Sequence, residues 1–410
     1  MSTLDFKKNK YYRFLSIENY KCFKGNHHLN FSNEKEDVFQ WTVIIGNNNT
    51  GKTTILRILA ELEPIKVNIP IKDEDRFMFV PKGFRNIELR ESEKSFIFNT
   101  SFDSFGWRFT SDSASIREVE KLKTNLIIGY GIKRKSSRKS ISEKENNDNT
   151  LSLFNDNVEL TNIEEWLLQL DYSIKNNSEK AKKQFLKVKK VLTSEVLPDI
   201  IDFRFVTDDN LDNYVLFRTD FGEVRYYELG YGYQVTLAWL ADLMKKMFER
   251  YPDSKNPLHE PAIVLIDEID LHLHPEWQRK IIHFVGNLFP NVQFIATTHS
   301  PLVVQSADDI NVIVLQKSED NIIVKQPEIS TFKGWTVEEI LSELMELGEK
   351  TKSDDYLKLM KEIEVAITKN DKQKAQKTYN ELDKILHPDS VQRKLLKIQM
   401  TSLTKQDDKD

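Results

Sequence analysis

The stretch "VIIGNNNTGKTTILRILAEL", Val43 to Leu62, decides the fold. An apolar run ends in a polar loop bounded by glycines, the loop closes on Lys-Thr-Thr, and a helical apolar pattern begins at once. That order predicts a strand, a phosphate-binding loop and a helix. Gly46, Asn47, Asn48, Asn49, Thr50, Gly51, Lys52 and Thr53 fit the G-x-x-x-x-G-K-[ST] pattern, with Thr54 continuing into the helix. In that pattern successive backbone N–H groups and a helix N-terminus surround phosphate oxygens. Glycine at both ends lets the backbone turn and approach phosphate without a Cβ in the way. Lys52 is placed to reach the β- and γ-phosphates, and the Thr53 hydroxyl to ligate Mg2+.

Such a loop needs a carboxylate for the metal and a base for the attacking water. "AIVLIDEIDLHLHP", Ala262 to Pro275, supplies both. Its four apolar residues Ile263 to Ile266 put Asp267 and Glu268 at the carboxyl end of a buried strand, where ligands of open α/β sheets collect. Asp267 is assigned to the metal and Glu268 to polarising water. "VQFIATTHS" then places His299 at the end of another apolar strand, as a sensor of the γ-phosphate. The "HLH" spacing puts His272 and His274 on one face of a strand and invites a metal reading, but no third ligand lies nearby for zinc.

Outward from this centre, Tyr11 to Ser32 alternates apolar and polar residues about a turn-like "FKGN" and predicts two paired strands. Ile87 to Thr110 predicts further antiparallel strands, and "NLIIGYG", Asn125 to Gly131, a buried one. Lys133 to Thr150 has no apolar period and a basic first half, and is expected to be a mobile loop. Residues 151–200 are expected to hold a two-helix insertion, Asp202 to Tyr227 to be strands, and Val235 to Arg250 and Glu276 to Leu288 to be helices. "INVIVLQ" and "NIIVKQ" finish the sheet. The composition shifts near Ser330, so the expected division is a domain over 1–330 and a charged helical region over 331–410.

The 410 residues can bury a sizeable core, and a net charge of −5 excludes a polycation. A single cysteine, Cys22, excludes a disulfide framework and fits a reducing, cytoplasmic setting. No run reaches the roughly 18 apolar residues of a membrane span, so no membrane is expected.

Together these motifs resemble ATP-binding-cassette-type ATPases of the group containing SMC, RecF and overcoming-lysogenisation-defect proteins. Within it, the chain is most similar to the AAA-family ATPase subunit of prokaryotic antiviral systems of the Septu type, also found beside retrons. The resemblance covers Phe14 to about Ile329. It implies an α/β P-loop fold with a mixed central sheet, an N-terminal antiparallel β-subdomain, a helical insertion and a C-terminal helical appendage. It further implies slow, Mg2+-dependent hydrolysis of ATP between two subunits of a homo-oligomer. "LGYGYQ", about 30 residues before the carboxylate strand, resembles the signature motif that meets the nucleotide of the opposite subunit. Leu229, Gly230, Gly232 and Gln234 are thereby implied as nucleotide contacts, with Gly230 standing where the family carries serine. Arg134, in an element resembling Tyr-Gly-x-x-Arg, is implied to touch nucleotide or partner. The implied partner is a separate HNH-type nuclease, held through the helical region from Gly334 onward, since the chain shows no nuclease constellation of its own. The alternative is a RecF-like repair ATPase that binds DNA. Lys133 to Lys144 offers that reading six basic residues against one acid, and a solvated loop without partner is the plain alternative.

Overall fold

A computed structural model describes residues 3–4, 11–62, 64–71, 74–81, 97–102, 105–110, 114–116, 126–138, 148–194, 197–329, 331–346 and 352–405. The chain divides into two compact units, Met1–Val337 and Glu338–Asp410.

The larger unit is organised by a six-stranded mixed sheet. Its order is Leu126–Tyr130, Ala262–Ile266, Val292–Thr297, Trp41–Gly46, Asn311–Ser318 and Asn321–Lys325. The first five strands are parallel and the last returns antiparallel in a hairpin. Strands buried on both faces read as unbroken apolar runs. Ala262–Ile266 and Val292–Thr297 are buried at every residue. The helix Lys52–Glu61 follows the phosphate-loop strand and buries Ile55, Leu56, Ile58 and Leu59. These side chains join Ile44, Ile263, Ile295 and Ile313 of the sheet and Tyr12, Leu15 and Ile17 of the N-terminal hairpin in one core. Truncating a fully buried leucine or isoleucine there costs on the order of 2–5 kcal/mol.

The hairpin Tyr12–Tyr20 and Phe23–Asn30 belongs to a five-stranded antiparallel sheet with Ile97–Phe102, Phe105–Thr110 and Ala114–Ile116. Residues 87–96 of the expected strand region lie outside the described residues. The insertion is a pair of helices, Ile163–Lys175 and Glu179–Leu192. Asn162 and Ser178 cap them, accepting from the N–H groups of Glu165 and Ala181. A three-stranded antiparallel sheet, Asp202–Thr207, Asn213–Thr219 and Gly222–Val224, precedes the helix Tyr231–Arg250.

Four local expectations are corrected. The helix expected from Val235 starts at Tyr231, because the extended backbone of Gly230 serves as its N-cap. The helix expected over Glu276 to Leu288 is two, Pro275–Gln278 and Ile281–Leu288, separated at Arg279 and Lys280. The carboxylate strand stops at Ile266, so His272 and His274 do not share a strand face: His272 has φ +64° in a turn, and His274 caps the short helix. The basic segment is not loose throughout, since Ser136 bridges to Leu160; residues 139–147 lie outside the described residues.

The smaller unit packs helices Asp354–Thr368, Lys372–Ile385 and Val391–Lys405 around Ile363, Ala366, Ala375, Leu382, Leu396 and Met400. Arg393 grips Asp383 through two bonds of 2.6 and 2.8 Å. Among the described residues no helix is long and apolar enough to cross a membrane.

Candidate nucleotide-binding site

Parallel strands deliver their carboxyl ends to one edge, and the sequence-singled residues Lys52, Thr53, Asp267, Glu268 and His299 follow such ends. Between Gly46 and Thr53 the loop is shaped by backbone that side chains resist. Gly46 and Gly51 hold φ +153° and +92°. A Cβ on Gly46 would lie 2.5 Å from the Leu315 carbonyl oxygen, and one on Gly51 would lie 2.8 Å from the Phe23 ring. Asn49, at φ +63°, supplies a third left-handed residue of a type that tolerates it. The Thr50 hydroxyl donates to the Asn47 carbonyl at 2.9 Å. Lys52 is buried, and its Nζ donates to the carbonyls of Gly46 and Asn47 at 2.8 and 2.9 Å. Burial lowers its pKa, while the charges of Asp267, Glu268 and Asp270 act in the opposite direction.

The Asp267 carboxylate is held at both oxygens. Thr53 donates to Oδ2 and Thr297 to Oδ1, each at 2.7 Å. The Thr297 hydroxyl in turn accepts from the Glu268 N–H at 2.7 Å. Glu268 has φ +49°, a left-handed backbone that costs a non-glycine residue about 1–2 kcal/mol. Its flanks hold it there. Asp267 N–H donates to the Tyr130 carbonyl at 2.8 Å and Ile269 N–H to the Thr297 carbonyl at 2.9 Å, so the turn is pinned to both neighbouring strands.

Arg134 completes the clamp. Its guanidinium is 1% exposed and donates to the backbone carbonyls of Gly131, Asp267 and Glu268, the first at 2.9 Å and the last at 2.6 Å. Burial lowers its pKa to about 10, opposed by Asp267, Asp270 and Glu268, so it stays charged at neutral pH. This corrects the expectation that Arg134 touches nucleotide or partner: it is enclosed behind the carboxylate turn. Behind it, the Tyr130 hydroxyl donates to the buried Asp242 at 3.0 Å. Asp242 also accepts from the N–H and hydroxyl of Thr161 at 3.0 and 2.7 Å.

His299 is exposed. Its N–H donates weakly, at 3.4 Å, to Asp270, which also accepts from the Thr298 hydroxyl. Sequence reasoning passed over Asp270, Thr297 and Thr298; the available signals were a third carboxylate in "DEID" and two hydroxyls ending an otherwise apolar strand.

The structure joins Leu229, Gly230, Gly232 and Gln234 to this group by no hydrogen bond among the described residues. Their segment instead packs on the His272 turn: a Cβ on Gly232 would lie 2.3 Å from the His272 carbonyl oxygen. Gln234 donates to the carbonyls of Leu229 and Tyr227 at 2.7 and 3.1 Å, bracing its own loop. Gly230 is open, its nearest neighbour a Tyr233 ring carbon at 3.6 Å.

A parallel sheet with a glycine-bounded loop after one strand and a hydroxyl-held carboxylate after another defines a P-loop α/β domain. Residues 41–305 match the family described as "AAA domain, putative AbiEii toxin, Type IV TA system", and the chain belongs to that family. It is 37% identical over 211 residues to the Septu protein PtuA of Bacillus thuringiensis, covering 50% of this chain and 52% of that protein. It is 25% identical over 338 residues to the Retron Vc95 probable ATPase of Vibrio cholerae serotype O1 biovar El Tor, covering 81% of this chain and 61% of that one. The chain thus spans about half the length of the curated relatives it matches. A solved SMC head bound to the C-winged helix domain of ScpA aligns with a TM-score of 0.41 and 15% identity, over 79% of this chain and 99% of that one.

Proposed function

We propose that the chain is the ATP-binding and ATP-hydrolysing switch subunit of a prokaryotic antiviral defence complex, and that it controls a separate nuclease of the HNH type. The observation that carries the ATPase part is the turn at Asp267 and Glu268, fixed by hydrogen bonds with Thr53, Tyr130, Arg134 and Thr297 beside Lys52. The donor set fits magnesium: a threonine hydroxyl and a carboxylate oxygen 2.7 Å apart are hard oxygen ligands of the kind Mg2+ takes. Gly46 and Gly51 are required by the loop's path, because a Cβ on either would collide with Leu315 or with Cys22 and Phe23. When bound, the metal and nucleotide supply the phosphoryl group and its charge neutralisation. The protein's own contribution is positional. Lys52 exchanges its loop carbonyls for phosphate oxygens, Thr53 and Asp267 hold the metal, Glu268 orients and polarises water, and His299 senses the terminal phosphate.

In this reading Leu229, Gly230, Gly232 and Gln234 act on the nucleotide of a second copy, making a homo-oligomer whose subunits close on ATP. The N–H groups that open the helix Tyr231–Arg250 would face phosphate in place of the missing serine hydroxyl. The defence role is supported by similarity to the Septu and retron proteins, and the helical unit Glu338–Asp410 is proposed to hold the nuclease. DNA binding by the basic segment has less support: Arg134 is buried, and Lys133 pairs with Asp156 at 3.3 Å.

The test is purification of the tagged chain from its own host together with its neighbouring genes, in ATP and magnesium, followed by native mass and composition. A large ATP-hydrolysing complex containing a nuclease is the expected result. A dimer recovered alone that binds DNA with steep salt dependence would replace the defence reading by repair.

A further inference from the structure

Away from the phosphate loop, a cleft of about 810 Å³ opens in the larger unit between the insertion helix Glu179–Leu192 and the helix Ile281–Leu288. Its lining is unbalanced in charge. Lys187, Lys190, Arg279, Lys280 and Lys333 contribute five cations, against one carboxylate, Asp308. Lys333 already pairs with Asp308, and Lys280 with Glu276 outside the cleft. Lys187 donates to the neutral Asn256 side chain at 2.7 Å, while Lys190 and Arg279 have no ion-pair partner among the described residues. Burial together with Lys187 pushes the His259 pKa down, so the rim resists adding another positive charge.

The lining also holds an apolar group, with Val191 and Leu258 buried and Phe284 and Leu288 half-buried, among neutral polar side chains such as Ser194, Asn256 and Asn287. A phosphodiester chain would use the cations and leave this apolar surface wet. An extended or helical peptide carrying carboxylates around one apolar side chain would satisfy both parts, in the manner of an interface with an apolar anchor and a polar rim. We propose that the cleft receives an acidic segment of a partner protein, anchored by an apolar side chain on Phe284 and Leu288.

The position gives that docking a consequence, which rests on the switch function proposed above. Arg279 and Lys280 follow the helix Pro275–Gln278, and Ser306 ends the helix Pro301–Ser306 that Ser300 caps. The Ser300 hydroxyl donates to the Gln278 side-chain oxygen at 2.7 Å. Occupancy of the cleft therefore bears on two short helices, one following the carboxylate turn and the other following His299.

A photo-crosslinking residue at Asn287, an exposed position on the rim, tests this in the full chain expressed in its own host with its neighbouring genes. The crosslinked product is digested and the attached segment sequenced. The expected result is a protein segment of net negative charge with an apolar residue at the link. Lys190→Glu and Arg279→Glu together should lower its yield at least about tenfold, and Phe284→Ala severalfold, with melting temperature unchanged for the charge variant. A link to nucleic acid, a link to a neutral or basic segment, no link above the unirradiated control, or a yield indifferent to charge reversal overturns the proposal. ATP turnover is measured on the same preparations. Specific crosslinking without turnover removes the switch reading and leaves the docking site, whereas turnover without crosslinking removes the docking site alone.

Discussion

Burying a guanidinium is costly unless its donors find acceptors, and Arg134 finds three backbone carbonyls. Two of them belong to Asp267 and Glu268, so one side chain spans the residues assigned to metal and water. Arg134→Lys keeps the charge but loses the planar fork that reaches both carbonyls. The expected outcome is a fall in kcat of about tenfold or more with ATP affinity within about threefold, read by steady-state turnover beside calorimetry. Two further substitutions separate binding from chemistry. Lys52→Ala should weaken ATP binding by on the order of 100-fold, the loss of about 2–3 kcal/mol of charge-assisted contacts, as measured by calorimetry. Glu268→Gln should keep nucleotide but lose at least about 100-fold in turnover, accumulating a closed dimer visible by light scattering in ATP. Wild-type turnover in that variant would assign the base elsewhere.

Among the elements, the helix Tyr231–Arg250 brings two glycines with opposite requirements to its start. Gly232 meets the His272 carbonyl too closely for a Cβ, so Gly232→Ala should destabilise by about 1–3 kcal/mol and lower the melting temperature by several degrees. Gly230 has φ −53° and ψ +142°, backbone open to any residue, and space around it. Gly230→Ser should fold as the parent does, and by adding a capping hydroxyl should strengthen ATP-dependent dimerisation in sedimentation. This contrast also marks how far the sequence could be read. Strands buried on both faces, such as Ala262–Ile266, announce themselves as apolar runs, and the phosphate loop as a spacing of glycine, lysine and threonine. Close approaches do not: nothing in "LGYGYQ" says which glycine touches His272. Arg134 sits in a run of basic residues that looks solvated, and only tertiary carbonyls make its burial tolerable. The left-handed turn at Glu268 was equally hidden, because it is held by Thr297 and Arg134 from other segments.

For the whole molecule, the two units have separate cores. The residues around Ile363 and Leu382 form one, and the sheet with its phosphate helix lies wholly in the other. Deleting Glu338–Asp410 should therefore leave ATP affinity within about threefold while the nuclease proposed above no longer comigrates on a sizing column. Comigration of the truncated chain would move the nuclease contact into the larger unit, where the charged cleft becomes the first surface to test.

The strand order has a temporal consequence. The phosphate-loop strand Trp41–Gly46 lies between Val292–Thr297 and Asn311–Ser318. It is synthesised first, yet both its neighbours leave the ribosome about 250 residues later, a delay of tens of seconds at ~5–20 residues per second. Until then Asp267 lacks the Thr297 hydroxyl and the loop lacks the Leu315 backbone against which Gly46 packs. A nascent chain interrupted between residues 270 and 297 has the loop and the carboxylates but neither the Thr297 hydroxyl nor the strand Asn311–Ser318, so the arrangement proposed to hold nucleotide is incomplete in it.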